Sequence, residues 1–278
     1  MVSSMRKIFP KTIIYFLLIS GSILFLIPLV WMLSASLKDE SSIFTFPPQW
    51  IPETFHWENF KTALTILPFH IFLKNTLIIV FFSLIGTIFS CSIVAYGFAR
   101  LRFPGRRLLF FILLGTMMIP YPVLLIPTFI LFRAIGWIDT LLPLTVPAFF
   151  GNAFFIFLLR QYYMGIPRDL DDAARIDGCG TFQIFYRIHL PILKPVLITV
   201  GILNFMGTWN DFFGPLIYLT SQEHYTLALG LNIFKGMYST DWNLLMAASL
   251  AVLLPTVVLF FFAQRKIISS IALSGLKQ

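Results

Sequence analysis

Six stretches of about twenty mostly apolar residues divide this 278-residue chain, at 13–33, 72–98, 108–131, 140–159, 196–220 and 243–264. A helix of about twenty residues rises about 30 Å, the thickness of a bilayer's hydrocarbon core. A large soluble fold can bury one or two such helices, but six in a chain of this length leave almost nothing to cover them. Composition agrees, with 58% of residues hydrophobic and 12% charged, against about 45–50% and about 25% in soluble domains. The expected fold is an all-α polytopic membrane protein of six transmembrane helices. It is expected to form a single domain over 1–278, with its core at 72–264.

The formal net charge of +8 raises the question of nucleic acid, and its distribution answers it. With the N-terminus inside, fifteen of the twenty Lys and Arg residues fall on inner segments. They are Arg6, Lys7, Lys11; Arg100, Arg102, Arg106, Arg107; Arg160, Arg168, Arg175, Arg187, Lys194; and Arg265, Lys266, Lys277. The outer segments hold Lys38, Lys61, Lys74, Arg133 and Lys235. This asymmetry is the positive-inside pattern, and it predicts both termini in the cytoplasm. Arg6, Lys7 and Lys11 before the first run, and Ser34-Ala35-Ser36 after it, also resemble the flanks of a cleaved signal. The run is longer than the 7–15-residue apolar core of such a signal, so 1–33 is expected to be retained as a span.

Catalytic chemistry finds no foothold. There is no phosphate-binding glycine loop, no His-Glu-x-x-His and no clustered Cys/His spacing. His56, His70, His189 and His224 are scattered through loops. No catalytic residue, metal site or cofactor is expected in this chain. Cys91 falls in the second span and Cys179 in an inner loop, so no structural disulfide is expected.

The loops differ in character. The outer loop at 34–71 carries Pro47-Pro48, Pro52 and Pro68, which oppose regular helix, and its Trp50 and Trp57 suit a membrane-interface belt. The inner turn at 100–107 holds four arginines and reads as a headgroup anchor, with contact to a cytoplasmic partner as the alternative. Pro120, Pro122 and Pro127 break the third span, and Pro143 and Pro147 the start of the fourth. In lipid the carbonyls freed by a proline need partners in protein or in a wet cavity. A solute pathway and kinked structural helices both remain open as explanations.

The inner loop at 160–195 stands apart. Pro167 suits a helix start, Asp169, Asp171 and Asp172 favour the first turn, and Asp171 is spaced to pair with Arg175. Leu170, Ala173, Ala174 and Asp177 share a face. Gly178 is placed to end the helix and Thr181 to cap a second one. Phe182, Phe185, Tyr186 and His189 then form a stripe, Leu190-Pro191 stops it, and Pro195 opens the fifth span. Such a knob either docks an aqueous partner or lies on the bilayer as an interfacial elbow.

Asp172-Ala173-Ala174, Gly178, Ile188 and Leu190-Pro191 resemble, at matching spacing, the cytoplasmic signature of binding-protein-dependent ABC importer permeases. That signature has Glu where this chain has Asp172, and Ala is common at the position of Cys179. Trp209-Asn210-Asp211-Phe212-Phe213-Gly214-Pro215-Leu216, Gly230-Leu231, Asp241-Trp242 and the tail from Gln264-Arg265 to Gly275-Leu276-Lys277 resemble the smaller permease of maltose-type sugar importers. The resemblance implies a permease subunit in a prokaryotic plasma membrane, forming half of the path for a sugar or sugar-like solute. It implies a second, unlike permease, two ATPase subunits that bind ATP and Mg, and an extracytoplasmic solute-binding protein. It assigns the ATPase-coupling contact to Asp172, Ala173, Ala174, Asp177, Gly178, Leu190 and Pro191. Polar groups in the spans, Asn152, Asn204, Asn210 and Asp211 with the aromatic Trp209, are candidates for the solute path, since such groups in lipid mark function by default; bonding across helices is the competing role. A self-sufficient secondary transporter or channel is the alternative function. It would favour repeated halves, and the sequence has no clear internal repeat.

Overall fold

A computed structural model describes residues 11–236 and 240–275, with side chains over 13–236 and 240–264. Arg6, Lys7 and Lys277, with the tail's end at Leu276–Gln278, lie outside the described residues. Those residues are helical throughout, without a strand, as a chain must be where lipid offers no hydrogen-bond partners to the backbone. Four helical stretches are long and apolar enough to cross a membrane: Ile13–Ser36, Phe69–Arg100, Leu142–Met164 and Trp242–Gln264. Two further pairs make six if each bent pair is one span.

The third, fourth and fifth runs refine the expectation. The third run is not one rod: Arg106–Thr116 and Tyr121–Ala134 meet at 97°. Pro120 and Pro122 sit at the corner, where a missing N–H and a ring clash forbid continuation. The fifth run breaks earlier than expected. Its continuous helix is Lys194–Trp209, about 24 Å of rise, and a separate short helix resumes at Phe213–Tyr218. Asn210 and Asp211 therefore lie in a break, not within a span helix. The fourth run is also composite. A 3-10 stretch, Val146–Phe150, precedes Gly151 at φ +91° and the helix Ala153–Met164.

The chain forms two compact units. The first comprises Met1–Pro68 and Leu231–Leu254. Its helix Lys11–Ser36 exposes large apolar side chains from Ile13 to Val30, as a helix bathed in lipid would. The proline-rich 34–71 loop is held by side chains bonding to backbone. Buried Lys38 donates to the Gln49 carbonyl and sits 4.7 Å from the Trp31 ring centre. The Asn59 amide donates to the Ser36 and Lys38 carbonyls at 3.0 and 2.9 Å.

The second unit, Phe69–Gly230 with Pro255–Gln278, is built around the helix Phe69–Arg100. One face of it is small and buried, with Ser83, Gly86, Thr87, Ser90, Cys91 and Ala95. The other shows Phe81, Phe82, Ile85 and Phe89. Small residues let backbones approach closely where lipid removes the hydrophobic drive. Gly86 illustrates the need. A Cβ there would lie 2.8 Å from the Phe149 ring and 3.0 Å from the Ala148 carbonyl carbon. Ser90 donates to the Ala148 carbonyl at 3.0 Å beside it. Towards its Arg100 end, Tyr96, Leu159, Tyr163, Phe185, Val196 and Val200 close a common core.

Candidate functional site

The 160–195 segment folds as two short helices around a sharp turn. The first, Asp169–Ile176, carries all three acids in its first turn. It ends at Gly178, which takes φ +79°. Cys179 N–H donates to Ala174 O at 2.9 Å and Gly178 N–H to Arg175 O at 3.0 Å, the paired bonds of a Schellman end. Nothing lies within 4 Å of the place a Cβ would occupy on Gly178. The glycine is needed for its backbone angle, and the space beside it is open.

Two details differ from expectation. Gly180, not Thr181, occupies the N-cap of the second helix, and Gln183 closes it by accepting from Gly180 N–H at 2.9 Å. Pro191 does not stop that helix. The backbone widens to a π turn over Phe185–His189 and continues to Ile192. The extra residue accommodates the proline, and the 76° bend comes only between Ile192 and Lys194.

The coupling candidates sort by exposure. Asp172, Ala173, Asp177, Gly178 and Pro191 are exposed, whereas Ala174 is buried and Leu190 packs on the core around Tyr96 and Tyr163. Ile176 (87% exposed) and Phe182 (69%) stand beside the outward set.

Sequence spacing missed the residues that hold the knob. Asp171 does not pair with Arg175, which instead meets Asp172 at 3.4 Å on the surface. The Asp171 side chain is buried, and the imidazole of fully buried His189 lies 2.6 Å from it through Nε2. Arg100 reaches it at 3.5 Å through Nη1. The other Arg100 nitrogen, Nη2, donates to the carbonyls of Tyr163 and Ile166 at 2.8 and 2.7 Å. Arg100 is therefore no headgroup anchor. It closes the open carbonyl end of the helix Ala153–Met164, where a cation is favoured.

A second polar locus lies in the broken region of the same unit. A cavity of about 260 Å³ is lined by Thr76, Tyr121, Thr128, Thr208, Asp211, Tyr218 and Thr226 together with apolar side chains. Thr128 and Tyr218 share a hydrogen bond of 2.9 Å, and Asp211 accepts from Gly214 N–H at 3.1 Å. Of the five path candidates, only Asp211 faces this cavity. Asn152 caps its helix by accepting from the N–H groups of Phe154 and Phe155. Asn204 bonds Ser83 and Thr87 across helices, at 3.2 and 3.1 Å. Asn210 donates to Met206 O at 2.8 Å, and buried Trp209 stacks on Phe205. The tyrosines and threonines of the cavity come from five separate segments, so no local spacing announced them.

The loop beside the cavity is clamped. Asp139, at φ +61°, accepts from Thr220 N–H at 2.9 Å, Ser221 N–H at 2.8 Å and the Ser221 hydroxyl. Burial pushes its carboxyl up, but these bonds and His224 outweigh that and hold it well below the usual carboxylate range. A depressed carboxyl contributes stability above its unfolded value of about 3.9, lost only as pH falls through the folded value. The clamp is therefore constant across physiological pH.

The profile of the "Binding-protein-dependent transport system inner membrane component" family matches residues 88–270, spanning both the knob and the broken region. The chain belongs to that family. Among relatives of this transport-system component, the arabinooligosaccharides transport system permease protein AraQ of Bacillus subtilis is 34% identical over 260 residues, 92% of each chain. The probable starch degradation products transport system permease protein AmyC of Thermoanaerobacterium thermosulfurigenes is 33% identical over 275 residues, covering 99% of this chain and all of that one. A crystal structure of a bacterial ABC transporter involved in the import of the acidic polysaccharide alginate contains a chain of the same fold. Its TM-score is 0.81 at 23% identity, over 92% of this chain and 95% of that one.

Proposed function

We propose that this inner-membrane component is one of two unlike permease subunits of an ATP-driven importer for a sugar or oligosaccharide, in a prokaryotic plasma membrane. In this reading Arg106–Thr116 with Tyr121–Ala134 makes one span, and Lys194–Trp209, beyond its 76° bend from the knob, carries another, giving six spans with both termini in the cytoplasm. Two ATPase subunits, which bind ATP and Mg, dock on the outward side of the knob. A solute-binding protein delivers the sugar from the other side of the membrane.

The observation that carries this reading is the knob's division of labour. Asp172, Ala173, Asp177 and Gly178 face out with Ile176 and Phe182, while Asp171, Ala174 and His189 are buried. An elbow lying on the bilayer would not combine two exposed first-turn acids, Asp169 and Asp172, with bare apolar side chains at the opposite end. For the solute, a cavity of hydroxyls, aromatic rings and one carboxylate suits a neutral polyol. The names of the relatives, arabinooligosaccharides and starch degradation products among them, point the same way.

The test is a mild-detergent pull-down of the tagged chain from its native membrane, comparing wild type with Gly178→Asp and Gly178→Asn. Asparagine is among the side chains most tolerant of the left-handed region, and the open space around Gly178 accepts it. Both variants should retain the second permease and lose the ATPase. If Gly178→Asn brought down the ATPase normally, the glycine would be a helix terminator only and the docking assignment would fail. A wild-type chain that came down alone would point to a self-sufficient transporter instead.

A further inference from the structure

Four separate stretches of chain meet on one carboxylate at the base of the knob. Asp171 belongs to the knob's first helix and His189 to the π turn of its second. Arg100 is the last residue of the long helix Phe69–Arg100. Through Arg100 the carbonyls of Tyr163 and Ile166 join, from the end of the helix Ala153–Met164 and just beyond. A carboxylate only accepts, so the His189 proton bonding Asp171 sits on Nε2. The rings of Tyr96 and Tyr163 pack on the imidazole, with centres 5.3 and 5.5 Å away. Tyr96 also donates to the Thr181 carbonyl at 3.4 Å.

Stability alone does not explain such a cluster. A buried ion pair is often matched or bettered by apolar side chains of similar size. What charged, directional bonds add is geometry. Apolar faces can slide, whereas a guanidinium fork fixed on two carbonyls and a carboxylate has one arrangement. The side chains of this clasp are buried, although Arg100 and Asp171 also floor a small polar pocket that Asp172 and Arg175 line from the exposed side.

We propose that Asp171 is a positioning residue. Held by Arg100 and His189, it makes the knob move as one body with the inner ends of two membrane helices. A displacement imposed on the knob then reaches the helices instead of being absorbed by the loop. This inference rests on the transport reading above.

The experiment reconstitutes the complete importer in liposomes and measures solute uptake and ATP hydrolysis in the same sample. Asp171→Asn keeps the size and an acceptor for His189 but drops the charge. The pair Arg100→Met with Asp171→Leu removes both charges, so no lone buried charge remains to unfold the chain. Both should assemble with the ATPase, and uptake per ATP hydrolysed should fall about tenfold, equivalent to about 1.4 kcal/mol. His189→Gln, which keeps a donor, should lower that ratio less. A purely structural role would reduce uptake and hydrolysis together, in proportion to assembled complex. That result would overturn the proposal, as would wild-type coupling in the double variant or loss of assembly in both. A wild-type preparation without ATP-driven uptake would refute the transport reading itself, and the inference with it.

Discussion

The second unit holds two polar clusters in an otherwise apolar body, and they are opposites. At the base of the knob, Arg100, Asp171 and His189 are charged or ionisable and tightly buried, and their bonds run to one another and to backbone carbonyls. In the broken region, Tyr121, Thr128, Thr208, Asp211 and Tyr218 line open volume, and only part of their bonding is spent within the protein. The first arrangement fixes helices in place. The second leaves donors and acceptors with room beside them, which is what a hydroxyl-rich solute needs. Polarity inside a membrane protein therefore does two different jobs, and the space beside each group tells them apart.

Removing one side of the buried ionic cluster should have the largest effect. Arg100→Ala strands Asp171 without its guanidinium and takes a donor from the carbonyls of Tyr163 and Ile166, a loss of about 3–5 kcal/mol. Thermal unfolding of the detergent-solubilised complex should show it, and a melting temperature like wild type would break the contrast. Next comes steric intrusion: Gly230→Ala places a Cβ 2.4 Å from the Phe72 ring, and overpacking of this kind costs about 1–3 kcal/mol. In the open cluster the effect should move from stability to affinity. Tyr121→Phe should leave the melting temperature within error but raise the KM for uptake about threefold to tenfold, roughly 0.6–1.4 kcal/mol. Equal KM with lower stability would make that cavity a structural void. Asn204→Ala should be the smallest change, about 0.6 kcal/mol, typical of interhelical hydrogen bonds in membranes, with uptake kinetics intact.

Much of the architecture was legible because lipid imposes lengths. All six apolar runs reappear as helices or bent pairs, and Pro120 with Pro122 marked the corner in the third. The break at Asn210–Phe212 was harder to see, because no proline or glycine stands inside it and the apolar run continues to Tyr218. At the knob, Gly178 was readable as a helix end because few other residues adopt that angle. Asp171 was misread because the local rule that pairs i with i+4 cannot see Arg100, seventy-one positions earlier in the chain, or His189. Asn152 and Asn204 were rightly singled out as unusual in a span, and their bonds here are a helix cap and an interhelical bridge. The cavity's tyrosines escaped notice for the opposite reason, since aromatic residues are common throughout this chain.

Gly178 carries one more consequence, in genetic terms. No atom outside its immediate chain neighbours lies within 4 Å of the position a side chain would take there, so no residue of this protein can yield to make room. Selection for restored import after a bulky change at that position should therefore return second-site revertants in the gene for the docking ATPase, and few in the permease itself.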